Sequence, residues 1–257
     1  MRKNAVIQAL LAAGLIASTP FASAAGNLVF CSEGSPAGFD PGQYTTGTDF
    51  DAAAETVFNR LSQFERGGTA VIPGLAEKWD ISADGLNYTF HLRPKVKFHT
   101  TDYFKPSRDF NADDVLFTFQ RMLDKDHPFR KAYPSEFPYF TDMGMDANIA
   151  KIEKLDDMTV KFTLNEVDAA FIQNLAMSFA SIQSAEYADQ LLEAGKAADI
   201  NQKPIGTGPF VFKRYQKDAQ IRFTGNKDYW LPEDVKIDNL IFAINTDASV
   251  RMQKLKA

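Results

Sequence analysis

Residues 71–99 read VIPGLAEKWDISADGLNYTFHLRPKVKFH, and two alternating runs within them decide what kind of fold follows. Trp79 and Ile81 alternate with polar neighbours. After Asp84-Gly85, the residues Tyr88, Phe90 and Leu92 alternate with Thr89, His91 and Arg93. Successive side chains of a strand point to opposite faces, so a period of two marks a half-buried strand. Asp-Gly accepts the positive φ of a tight turn between two such runs. The stretch is therefore expected to be a β-hairpin with one apolar face. Trp79, Tyr88 and Phe90 are read as core at this spacing, not as a platform for stacking a ligand.

Working outward, Leu28–Cys31 is a first strand, and Phe39-Asp40-Pro41-Gly42 supplies turn residues. Tyr44 to Thr48 is short, polar and extended. A helix is expected from about Asp49 to Gln63, with Phe50, Ala54, Val57, Phe58 and Leu61 on one stripe and Thr48 or Asp49 as its cap. Past the hairpin, Asn111 caps a helix over Ala112–Leu123, with Asp113 and Asp114 in its favourable first turn. Residues 124–148, which hold Pro128, Pro134 and Pro138, read as loop. Ile149–Leu155 and Thr159–Leu164 flank Asp156-Asp157 as a second hairpin. One helix carries Phe171 and Leu175. Another is capped by Ser184 and ended by Gly195. The Gly-rich loop Ile205–Phe210 leads into a strand and lacks a Lys-Ser/Thr pair, so it reads as a structural turn and not a phosphate cradle. Strands at Phe210–Gln216, Gln220–Thr224 and Lys236–Asn245 follow. A helix starts at Asp247.

The chain has 257 residues, 45% of them hydrophobic, and a net charge of -5. These are values of a soluble globular protein of one or two domains. Twenty-two Phe residues point to sizeable sheet-based cores. Mild acidity argues against nucleic acid as a partner, because phosphate binding needs a basic face. Residues 1–24 form a signal peptide: Arg2 and Lys3 lead an apolar run from Ala5 to Ala17, and Ala22-Ser23-Ala24 is a small-x-small cleavage site. The run is too short to span a bilayer, so export with cleavage near Ala24 is expected. Cys31 is the only cysteine. It is either a buried free thiol on the first strand or one half of a pair whose partner is absent. The spacing of His91 and His99 matches no common metal or haem site. Asp113-Asp114 and Asp156-Asp157 are a helix first turn and a hairpin turn, so an exported hydrolase is the weaker alternative. No catalytic residue, metal site or cofactor is implied.

Gly74-Leu-Ala-Glu-Lys-Trp79, then Asp84-Gly85, then Tyr88-Thr-Phe-His-Leu-Arg93 and Val96-Lys-Phe-His99 closely resemble the signature of solute-binding proteins that feed oligopeptide and dipeptide ABC importers. Leu28-Val-Phe-Cys-Ser-Glu-Gly-Ser-Pro36, Thr45-Thr-Gly-Thr48, Asn111-Ala-Asp-Asp-Val115, Pro204-Ile-Gly-Thr-Gly-Pro-Phe210 and Thr246-Asp-Ala-Ser-Val-Arg251 are similar to the dipeptide-binding subgroup, in the same order. Departures at Asn87, Pro94-Lys95 and Thr100-Thr101 sit at strand ends and turns.

The resemblance implies an α/β fold like that of type II periplasmic binding proteins: a first lobe with a mixed sheet and an extra α+β sub-domain, the second lobe missing. Residues 25–64 and 205–257 would form the core of lobe I, and 65–204 the additional sub-domain. The implied function is a non-enzymatic periplasmic component of a dipeptide transport system. It would capture a small peptide between two lobes and deliver it to an ABC permease in the inner membrane, as a monomer at full length. Haem is the alternative ligand within the same family. Thr45, Thr46, Gly47 and Thr48 would be the ligand-binding segment. That role suits them, since Gly lets another backbone approach and Thr hydroxyls add donors and acceptors. The groups that clamp the peptide's charged ends would come from the second lobe. By the same resemblance, Cys31 would pair with a cysteine beyond Ala257, and the chain is expected to be a truncated product.

Overall fold

A computed structural model describes residues 26–256; the signal peptide expected at 1–24 lies outside the described residues. Strand β1 (Asn27–Ser32) leads to a 3-10 turn at Pro41–Gln43 and a short helix α1 (Gly47–Ala52). Two short strands, β2 (Ser62–Phe64) and β3 (Val71–Pro73), pair antiparallel. The hairpin β4 (Ala76–Ile81) and β5 (Asn87–Leu92) precedes helix α2 (Ala112–Leu123). Helices α3 (Pro128–Ala132), α4 (Pro138–Asp142) and α5 (Met145–Asn148) run into a second hairpin, β6 (Ile149–Asp156) and β7 (Thr159–Leu164). After α6 (Phe171–Asn174) and α7 (Ala185–Glu193) come β8 (Phe210–Gln216), β9 (Gln220–Gly225), β10 (Asn239–Ile244) and α8 (Ala248–Lys256).

The two hairpins join edge to edge into one antiparallel sheet, β4-β5-β7-β6. Gly85 takes φ +72° at the first turn, a value open to Gly at little cost. Tyr88, Phe90 and Leu92 are buried, as their alternation requires, and Trp79 is half-buried opposite Phe90. Ile81 departs from the expected apolar face. It sits at the hairpin tip on the edge strand and stays half exposed. Helix α2 covers this sheet: Val115, Phe119 and Met122 are buried, and Phe119 meets Phe162 edge-on at 5.2 Å between ring centroids. Its N-terminus is a full capping box between Asn111 and Asp114. The buried Asp114 also accepts both terminal nitrogens of Arg108, at 2.7 and 2.9 Å, and the N–H of Ala185 at 2.8 Å. One carboxylate thus ties the starts of α2 and α7 together.

The second four-stranded sheet has the order β1-β10-β9-β8. It is mixed: β1 runs parallel to β10, and the other pairs are antiparallel. Phe39, Val57, Phe58, Phe212, Phe223 and Phe242 form a core against it, separate from the larger cluster under the hairpin sheet. β1 is an edge strand, so Leu28, Val29 and Phe30 are exposed and Cys31 is only half-buried. Cys31 is therefore not a buried thiol, one of the two readings left open for it.

Two sequence expectations need correction. The helix expected over 49–63 ends at Ala52. Beyond it, the carbonyls of Thr56, Val57, Arg60 and Leu61 accept from Phe210, Gly208, Leu75 and Gly74. A continuing helix would have consumed the carbonyls of Thr56 and Val57. Residues 124–148 are not loop but three short helices, two of which carry Pro in their first turn. Proline is favoured there because its missing N–H would have no helical partner.

Candidate ligand-binding segment

Asp40, at the N-cap of the 3-10 turn, is fully buried. Its carboxylate accepts both terminal nitrogens of Arg121, at 2.7 and 2.8 Å, and the amides of Gln43 and Gln183. Burial alone would raise its pKa; the Arg121 charge and the hydrogen bonds outweigh that and hold the carboxyl below its ordinary value. Asn201 grips the same loop from the far side of the sequence. Its Oδ1 accepts from the N–H groups of Phe39 and Asp40, at 2.9 and 3.0 Å, and its Nδ2 donates to the Tyr44 hydroxyl. Gly38 permits this approach, since a Cβ there would collide with Asn201 and the Tyr44 hydroxyl.

The anchored loop delivers the four residues singled out in the sequence. Tyr44 and Thr46 are extended, with Thr45 between them. Thr45, Thr46 and Gly47 are exposed and Thr48 is half-buried. Gly47 and Thr48 are not extended, as expected, but begin α1. Thr46, not Thr48 or Asp49, is the cap: its hydroxyl oxygen accepts from the Asp49 N–H and its O–H is directed to the Asp49 carboxylate. Asp49, buried, also accepts from the Ala37 N–H at 2.7 Å. Among the described residues, the N–H and C=O of Thr45 and the N–H groups of Thr46 and Gly47 have no hydrogen-bond partner. A Cβ built on Gly47 would meet nothing within 4 Å. An exposed run of unpaired backbone groups held in a fixed shape can accept a further extended chain.

Cys31 lies elsewhere, on β1 opposite Ala243. His91 is hydrogen-bonded to Asp80 at 2.7 Å in the hairpin. His99 is buried, and its Nε2 lies 2.8 Å from the Gly208 carbonyl. That contact makes Nε2 the donor and leaves Nδ1 bare. Burial pushes the imidazole down to about 4. Among the described residues, no three His, Cys, Asp or Glu side chains gather as a metal site, and no helix is long and apolar enough to cross a membrane. Sequence reasoning missed the anchors Asp40, Arg121 and Asn201. Thr46-x-x-Asp49 was the one local signal of the cap, because it has the spacing of a capping box.

Residues 70–257 match the profile of the bacterial extracellular solute-binding proteins, family 5 middle. The whole chain is 80% identical to di/tripeptide-binding protein 1 of Pseudomonas aeruginosa and covers 49% of it. It is 47% identical to haem-binding protein A of Haemophilus influenzae, over 89% of this chain and 42% of that protein. It superposes with a TM-score of 0.86 and 41% identity on the ABC transporter-associated periplasmic binding protein of Helicobacter pylori in complex with the peptide STSA, over 90% of this chain and 45% of the solved one. The chain spans about half the length of the curated relatives it matches. Its mixed α/β fold is that of the matching part of the solved chain. The length matched by the family profile settles membership: this chain belongs to the family 5 bacterial extracellular solute-binding proteins.

Proposed function

We propose that the chain captures a short peptide by its backbone along Thr45, Thr46 and Gly47, with Thr48 at the rim, and serves the delivery of that peptide to the membrane permease of an ABC importer. The observation that carries this reading is the exposed, unpaired backbone of Thr45–Gly47, anchored from behind by Asp40 and Asn201. Backbone pairing recognises a peptide without regard to its sequence, which suits a di/tripeptide carrier. The names of the Pseudomonas relatives agree with that ligand class. Haem is the second reading, favoured by the likeness to haem-binding protein A. The protein is read as a binder and not an enzyme, exported to the periplasm after cleavage near Ala24. Residues 25–64 with 205–257 are read as the lobe core and 65–204 as its sub-domain, a division supported by the two separate apolar clusters.

Amide NMR during titration with Ala-Ala tests the reading. The amides of Thr45, Thr46 and Gly47 are expected to shift in a saturable way, and Gly47→Val to weaken the interaction at least about tenfold by blocking close approach. Shifts confined to other surfaces, or hydrolysis of the dipeptide, would overturn it. Haemin titrated in parallel, if it alone binds, decides for the second reading.

A further inference from the structure

Between the turn after β7 and the helices α5 and α6 lies a cleft of about 620 Å³. It shares no lining residue with the segment Thr45–Thr48. Its volume falls in the range of small-ligand sites, roughly 300–1,000 Å³. Asn174, the last residue of α6, forms part of its wall and is only 8% exposed. A polar side chain so buried ordinarily has a hydrogen-bond partner. Among the described residues the Asn174 amide has none, yet neither of its polar atoms is sealed from solvent. Its donor and its acceptor therefore face the cleft.

The charge around the cleft has one sign. Glu166 and Asp168 line it, and no lysine, arginine or histidine does. Lys151 on β6 and Lys161 on β7 are both committed to Glu153, at 2.7 and 3.1 Å. Asp142 and Asp146, next in the chain to the lining residues Met143 and Ala147, are exposed and add two more carboxylates. Short hydrogen bonds hold the rim in shape. Asp168 accepts from the Ala170 N–H and Asn148 from the Glu166 N–H, each at 2.8 Å, and Asn165 donates to the Ala147 carbonyl at 2.9 Å. Among the described residues, one Asp168 oxygen and both Glu166 oxygens stay free of partners.

These groups select the chemistry of a guest. An anion would meet only charge of its own sign. A bare metal ion needs a set of at least three acidic, His or Cys ligands, and none gathers among the described residues. A quaternary ammonium would leave the Asn174 oxygen and the carboxylates without a donor, and no aromatic ring lines the cleft to hold it. A primary ammonium brings three donors and a charge. Its methylene stem can lie along the exposed side chains of Met143 and Val167. Several unpaired carboxylates favour a guest with more than one such charge.

We propose that this cleft is a binding site for a short aliphatic diamine, whose ammonium groups donate to the Asn174 side-chain oxygen and to the Glu166 and Asp168 carboxylates. The site is separate from the peptide-pairing segment and does not rest on the peptide reading.

The test uses the full chain labelled with nitrogen-15 at low ionic strength, titrated with 1,4-diaminobutane to millimolar concentration. The Asn174 side-chain amide signals, assigned through Asn174→Ala, and the Val167 backbone amide are expected to shift together and saturate, with a Kd of about 1 mM or below. The fully methylated analogue of the diamine keeps both charges and the same chain but has no N–H. It should bind at least about fivefold more weakly. The double variant Glu166→Gln/Asp168→Asn keeps an acceptor for the Ala170 N–H and removes both charges; it should weaken diamine binding about fivefold or more. Asn174→Ala should weaken it to a similar degree, read at Val167. Absence of a saturable shift at the cleft, equal binding of the methylated analogue, or undiminished binding by either variant would overturn the proposal.

Discussion

His99 is a buried imidazole held neutral at a seam of the molecule. The backbone N–H of His99 donates to the Gly206 carbonyl at 2.9 Å, and its ring Nε2 donates to the Gly208 carbonyl. Neutrality has a consequence for stability. Folding lowers the pKa from an ordinary 6.5 to about 4, so below pH 6.5 the unfolded chain binds a proton that the folded chain refuses. This contribution is complete above pH 6.5 and is lost as pH falls towards 4, at about 1.4 kcal/mol per unit and about 3 kcal/mol in all. Denaturant unfolding at pH 7 and pH 5 should show that slope in the wild type. His99→Gln, which keeps a donor for Gly208 but cannot take up a proton, should show less of it. Equal slopes would place the buried titration elsewhere. Nothing in the spacing of the three histidines announces this role, because it depends on a loop more than a hundred residues away in sequence.

At the scale of elements, the Gly-rich loop before β8 acts as a wedge between layers. A Cβ at Gly206 would collide with the carbonyl of Val57, and one at Gly208 with the same carbonyl group. Gly206→Ala is therefore expected to cost about 3 kcal/mol or to prevent folding, since backbone and not a flexible side chain stands in the way. A shift in the denaturation midpoint measures it. A neutral outcome would mean that the loop and residues 56–58 separate easily. Elements whose signals are local were legible in the sequence. The first hairpin follows from alternation and Asp84-Gly85, and α2 follows from Asn111 and its acidic first turn. The helix expected over 49–63 failed because its stripe was real but the carbonyls of Thr56 and Val57 were needed by the loop at 208–210. At 124–148, Pro128 and Pro138 read as breakers in the sequence, although proline also starts helices. The segment Thr45–Thr48 was legible as a motif. Its anchorage was not, because Arg121 and Asn201 reach it from α2 and from a distant turn.

Across the whole molecule, the Asp40–Arg121 pair links the N-terminal loop under the mixed sheet to the helix that covers the hairpin sheet. Arg121 also lies over the Phe117 and Phe137 rings, at 5.5 and 5.3 Å. Removing one partner strands the other charge in the interior. Arg121→Met is expected to cost about 3–5 kcal/mol, and the double variant Asp40→Asn/Arg121→Met to recover a large part of it. Thermal unfolding of the three proteins checks this, and additive losses would show that the pair is not coupled. The parallel pairing of β1 with β10 acts over a longer span. Asn27 and Asn239, side by side in the sheet, are 212 residues apart in the chain. At synthesis rates of about 5–20 residues per second, β1 waits roughly 10–40 s for its partner. Over that interval Leu28, Val29 and Phe30 have no neighbour in the mixed sheet, and loop closure over so long a separation makes the docking step slow. The chain thus carries a built-in delay: the seam between β1 and β10 cannot close until the residues through Ile244 have emerged, and until then the segment that carries β1 stays threadable and open to holdase chaperones.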